Sequence, residues 1–232
     1  MKRKSLKSAL LGAAVCGAIA LVGTPVAHAT PLITISLQEA GVNGGAITGV
    51  SSLAAPIGPS YGGSYGTFTI NKISGTGDLL PADNFSTSSI NTSTSAGGTL
   101  YVYASETNLT SPTGIQSFLS GFTLNQPSGA LSSVTESTYY DASNALNGMA
   151  TELASATFLA VNSGSQNSSP VAINLSSTNP YSITEVFKIV TNGKASDNAT
   201  ITMQVPEPGS LALMGTGLLG LAAILRRKRR RA

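Results

Sequence analysis

Between Thr30 and Val205 the apolar residues fall mainly on every second position, and a period of two restricts this stretch to extended strands. Ile33, Ile35 and Leu37 point one way, while Thr34 and Ser36 point the other. Phe68 and Ile70 alternate with Thr67 and Thr69, and Leu100, Val102 and Ala104 stand opposite Tyr101 and Tyr103. Phe118, Phe122 and Leu124 share one side of a run. Further runs follow at Ser132–Tyr140, Ala156–Val161, Val171–Leu175, Tyr181–Val190 and Ala199–Val205. Gly, Pro, Asn and Ser interrupt them, so about nine or ten short strands predict an all-β, antiparallel β-sandwich. Gly41–Ser64 reads largely as loop, and Ser163–Pro170 reads as loop throughout. One segment, Asn144–Ala154, spaces Leu146, Met149 and Leu153 as a helix would, with Ser143 placed to cap it.

The two ends are of another kind. Residues 1–29 have the form of a cleavable signal peptide. Lys2, Arg3, Lys4 and Lys7 are basic, Ala9–Val22 is apolar, and Ala27 and Ala29 are the small residues a signal peptidase needs before Thr30. Cys16 follows a poor lipobox, Ala13-Ala14-Val15, and reads as apolar filler. At the other end, Pro206-Glu207-Pro208 precedes an uncharged run, Gly209–Leu225, and then Arg226, Arg227, Lys228, Arg229, Arg230 and Arg231. As a single transmembrane helix, Leu211–Leu225 would span only ~22 Å, short of the bilayer core. The six cations would hold that end in the cytoplasm, so the run reads as a weak stop-transfer anchor.

Setting the tails aside changes the charge. The chain is +3 overall, but residues 30–204 keep only Lys72, Lys188 and Lys194 against nine acids, a net charge of −6. Nucleic acid is therefore not an expected partner. The only cysteine, Cys16, and the only histidine, His28, leave with the signal peptide. Disulfides, cysteine–histidine zinc sites and histidine-based dyads or triads go with them.

The tail from Val205 through Pro206, Glu207 and Pro208 to the terminal cations resembles the PEP-CTERM sorting signal of exported Gram-negative proteins. The resemblance covers residues 205–232 only. It implies an exosortase, a membrane-embedded cysteine transpeptidase, as partner. Cleavage would fall near the motif after transient anchoring in the inner membrane, with delivery to the cell surface or matrix.

The exported domain offers weak candidate sites. Asp78, Asp83 and Asn84 supply oxygens for Ca²⁺ but lack EF-hand spacing, and turn capping is the preferred reading. Glu136, Asp141 and Glu152 are the acids from which a carboxylate-only glycosidase would be built. Glu185 alternates with Ile183, Phe187 and Ile189 and so points inward, with Lys188 or a bulge to resolve its charge. Tyr61, Tyr65, Tyr101, Tyr103, Tyr139 and Tyr140 offer flat faces for a polysaccharide, with sheet packing the favoured alternative. Within the tail, Ala212, Thr216 and Gly220 form a narrow ridge for a neighbouring helix. The expectation is a non-enzymatic surface or matrix protein without catalytic residues, metal or cofactor, in possible contact with exopolysaccharide. A carboxylate-dependent carbohydrate-active enzyme is the alternative.

Overall fold

Two long strands organise the domain. In the computed structural model, which describes residues 29–77, 86–159, 162–176 and 178–205, eleven strands are seen. They are β1 (Leu32–Glu39), β2 (Thr48–Ala54), β3 (Ser60–Tyr65), β4 (Phe68–Gly77), β5 (Ser86–Thr94) and β6 (Gly97–Leu109). There follow β7 (Gly114–Asp141), β8 (Thr151–Leu159), β9 (Gly164–Asn167), β10 (Val171–Leu175) and β11 (Tyr181–Gln204). The expected signal peptide up to His28, the tail from Pro206 onward, and Asp78, Asp83 and Asn84 lie outside the described residues. Among the described residues no helix is long and apolar enough to cross a membrane.

β11 pairs antiparallel with β7 from Ser182 opposite Asp141 to Gln204 opposite Leu119. Its other edge is shared: Tyr181–Asn192 lies on β6, and Ala195–Met203 lies on β5. One layer is therefore β2-β1-β6-β11-β7-β8, built on the first half of β11 and the second half of β7. The other is β3-β4-β5-β11-β7-β9, built on the remaining halves, with β10 along the start of β7. Between Thr191 and Ala195 the ladder is interrupted, opposite Gly129 with its φ of +71°. Bulges of this kind sharpen twist and bend. Both central strands pass there from one layer to the other, and a single sheet closes over itself as a sandwich.

The alternation foreseen in the sequence decides what lies between the layers. Ile35, Leu37, Leu100, Val102, Phe187 and Ile189 from one layer meet Phe68, Ile70, Ile73, Phe122, Leu124 and Ile201 from the other. Tyr65 ties them directly, donating its hydroxyl to the Leu37 carbonyl at 3.1 Å. A second cluster, with Leu109, Phe118, Tyr140, Tyr181, Met203 and Val205, fills the end where β1 begins and β11 stops. Thr30 and Val205, the two ends of the exported domain, leave from that same end.

Several elements differ from the sequence reading. Residues 144–150 form no helix. Asn144 and Asn147 take left-handed backbone at φ +58° and +55°, and β8 begins at Thr151. Asp141 starts this connection by accepting bonds from the Ser143 N–H at 2.7 Å and hydroxyl at 2.6 Å, an Asx-type turn. The connection then folds onto the outer face of the first layer. Asn147 donates from its backbone to the Ser105 hydroxyl and from its amide to Ser36, which buries both serines. Within Gly41–Ser64, expected to be mostly loop, lie the edge strands β2 and β3, too rich in Gly and Ser to show an apolar period. β9 likewise occupies part of the expected 163–170 loop.

Candidate functional site

Parity along the strands distributes the polar side chains between the interior and two surfaces. Glu136, Glu185 and Asp197 all sit at inward positions, buried between the layers. Lys188 is three residues from Glu185 and so projects from the opposite face, exposed to solvent. It does not partner Glu185; this corrects the sequence expectation. Glu136 Oε2 accepts from the Thr123 N–H at 3.1 Å, a bond that crosses between the two halves of β7. The Thr92 hydroxyl donates to Asp197 Oδ1. Ser120 and Thr138 join the layers at 2.8 Å beside them. Among the described residues, Glu136 Oε1 and Asp197 Oδ2 have no hydrogen-bond partner.

The electrostatics follow from this confinement. Burial is the largest cause that raises the Glu136 carboxyl to about 8; the Thr123 N–H opposes it, and negative charge at Asp197 and Glu185 adds to it. Burial lifts Asp197 to about 6 against the Thr92 hydrogen bond. These are acids of a packed interior.

The sequence-selected trio does not converge. Glu136 is interior, while Asp141 holds the turn after β7. Glu152 is exposed on β8, where its carboxylate accepts from the Tyr139 hydroxyl at 3.3 Å. Among the described residues no group of three acids is arranged to hold a metal ion. Glu39, another buried acid, clamps the β3–β4 turn by accepting from the Thr67 hydroxyl at 2.6 Å and its N–H at 3.1 Å.

The tyrosines divide in the same manner. Tyr65 and Tyr140 belong to the core, whereas Tyr101, Tyr103 and Tyr139 stand on the outer face of the first layer. Tyr101 and Tyr103 lie nearly parallel, 6.4 Å between centroids and 16° between planes. Lys188 Nζ sits 5.7 Å from the Tyr101 centroid, within cation–π range. The Tyr103 hydroxyl donates to Gln38 Oε1 at 2.6 Å, and Gln38 Nε2 donates to the Gly45 carbonyl at 2.8 Å. Burial, then neighbouring Tyr101 and Tyr139, raise the Tyr103 phenol, so it stays a neutral donor. Gln38, Thr99, Tyr101, Lys188 and Val190 thus line an open groove of about 510 Å³. Gln38 was not singled out in the sequence; its position opposite Tyr101 across the β1–β6 ladder is the signal that would have found it.

The described domain is an antiparallel sandwich whose two ends leave together, and beyond it the chain carries a C-terminal sorting segment. The segment is specific: residues 204–230 match the PEP-CTERM protein-sorting motif. This match supports an exported protein sorted by an exosortase. No relative is found among curated proteins. Solved structures with partial similarity include the enzymatically active domain of bacteriophage CBA120 tailspike protein 4, at 10% identity and TM-score 0.32 over 63% of this chain. An arabinose-bound α-L-arabinofuranosidase matches at 10% identity and TM-score 0.31 over 64% of this chain. The chain spans only 18% and 23% of those two proteins.

Proposed function

We propose that this protein is a non-enzymatic component of the cell surface or extracellular matrix, trimmed from its membrane tail by an exosortase and contacting polysaccharide through the Tyr101–Lys188 groove. The sorting motif at residues 204–230 is the observation that carries the reading. The interior acids support its non-enzymatic part: they are enclosed between the layers, and the exposed Glu152 faces away from Glu136. In the groove, the Tyr101 ring suits the apolar face of a sugar, Gln38 and Thr99 supply polar contacts, and Lys188 favours an acidic sugar.

Two measurements test this reading. Glu207 is the only charge between Asp197 and Arg226. Glu207→Ala should leave export intact but block removal of the tail, read by gel shift as uncut protein in the inner membrane. Trimming at the parental rate would remove recognition from this motif. In the groove, Lys188→Ala is expected to weaken retention on an acidic polysaccharide about tenfold, the effect of roughly 1.4 kcal/mol, while leaving thermal stability unchanged. Equal retention of the parent and the variant would discard the groove as the contact surface.

A further inference from the structure

The end of the sandwich from which both tails depart carries an unusual distribution of surface residues. Eight large hydrophobic side chains are exposed among the described residues, and six of them lie around this end: Leu32, Leu53, Ile57, Ile115, Leu146 and Met149. Leu32 begins β1, and Leu53 is next to the last residue of β2. Ile57, 68% exposed, lies in the connection that joins the two layers, tied to each by the Ala55 N–H on the Pro31 carbonyl and the Gly75 N–H on the Pro59 carbonyl. Ile115, 76% exposed, is near the start of β7 on the second layer, and Leu146 and Met149 belong to the connection folded over the first. They form a rim rather than one patch. The opposite end has only Ile47 and Leu159.

Charge is distributed in the reverse sense. Lys72 and Lys188 lie within β4 and β11, and Lys194 sits at the bend farthest from the tails. Near the tails, Glu106 and Asp141 are buried, so Glu152 is the one exposed charge there among the described residues. The connections 110–113 and 178–180 bring only Thr, Ser, Pro and Asn. Aliphatic tips over these two uncharged, hydrogen-bonding connections match the chemistry of a bilayer interface, where apolar groups enter the acyl boundary and polar groups meet headgroups; the 78–85 connection, with Asp78 and Asp83, lies outside the described residues.

The chain length outside the domain says what covers this end. Four Cα–Cα steps, through Pro206, Glu207 and Pro208, separate Val205 from Gly209, so the apolar run begins within about 14 Å of the domain. We infer that, before the tail is cut, this end of the sandwich rests on the outer surface of the inner membrane, with the aliphatic rim inserted at headgroup level. The inference rests on the reading of residues 209–225 as the membrane anchor. It gives the rim a role in holding the cleavage motif close to the bilayer, where a membrane-embedded enzyme works.

The test uses the full chain with Cys16→Ser, reconstituted in phosphatidylethanolamine–phosphatidylglycerol vesicles containing nitroxide-labelled headgroups. Single cysteines are introduced as Ile57→Cys, Ile115→Cys, Ser128→Cys at the far end, and Leu218→Cys in the tail. Each is labelled with an environment-sensitive fluorophore. The expected result is quenching at Ile57, Ile115 and Leu218, several-fold stronger than at Ser128. Placing Leu53→Asp beside the Ile57 probe should reduce its quenching without affecting Leu218. If Leu218 is quenched but Ile57 and Ile115 match Ser128, the domain hangs free and the inference falls while the anchor stands. If Leu218 is not quenched, the anchor reading itself fails. Intermolecular cross-linking through Ile115→Cys without quenching would name a second copy as the cover and overturn the proposal.

Discussion

Thermal stability of the exported domain is expected to be greatest near pH 4 and to fall steadily toward pH 9. Glu136 and Asp197 both have folded-state carboxyls raised above their ordinary values, to about 8 and about 6, by burial between the layers. A group raised on folding binds its proton more tightly in the folded state. Its stabilising contribution is complete below the unfolded value and is lost as pH climbs through the folded one. For Asp197 the loss runs from ordinary aspartate pH to about 6, and for Glu136 from 4.5 to about 8. A shift of the Glu136 size corresponds to on the order of 5 kcal/mol, or roughly 10–20 °C in Tm for a domain of this length. Glu136→Gln isolates the effect. The amide keeps an acceptor for the Thr123 N–H, leaves the volume nearly unchanged and cannot ionise. The variant should match the parent near pH 4 and unfold well above it at pH 9. Parent and variant curves that coincide at both ends would mean Glu136 is hydrated in solution and not enclosed.

Gly129→Val is expected to cost about 3 kcal/mol or to abolish folding, a larger effect than most single core truncations outside the aromatic positions. At φ +71° a β-branched residue is strained, and a Cβ built there would stand 2.3 Å from the Lys194 carbonyl oxygen and 3.1 Å from Ala195 Cα. Those contacts are backbone on the partner strand, so neither can rotate away. The position is where β7 and β11 turn together from one layer to the next. Gly114→Val serves as the comparison: its φ is +75°, but nothing lies within 4 Å of the added carbon. Urea unfolding should therefore show the larger loss at Gly129. Equal losses would reduce the bend to ordinary backbone strain.

Much of the sandwich was legible because inward positions carry residues whose burial dominates their placement. Ile33, Ile35, Leu37, Leu100, Val102, Phe187 and Ile189 are all on the predicted faces and almost fully buried. β5 was not legible, since Ser88, Thr92 and Thr94 occupy its inward side with Ile90 and remove the apolar alternation. The runs at Phe118–Leu124 and Ser132–Tyr140 were read as separate strands because Gln126, Pro127 and Gly129 signal a turn. The chain uses that signal to bend β7 without ending it. The helix expected over Asn144–Ala154 failed for a related reason. Two asparagines able to take left-handed backbone, together with hydroxyl partners on the sheet surface, outweighed a spacing of three apolar residues. For the candidate groove, the tyrosines were visible, while Lys188 was named only as one of two ways, with a bulge, to resolve the Glu185 charge. Parity between Glu185 and Lys188 already separated them.

The order of strands in the chain governs when this domain can fold. β11 contacts β5, β6 and β7 and belongs to both layers, yet it is the last strand of the domain to be made. Until Tyr181–Gln204 is made, β6 and β5 lack the strand that holds each of them to β7, and only β7 is shared by the two layers. Pairings this distant along the chain form slowly in any case. The strand that joins β5 and β6 to β7 is thus also the one that sets when the sandwich can close.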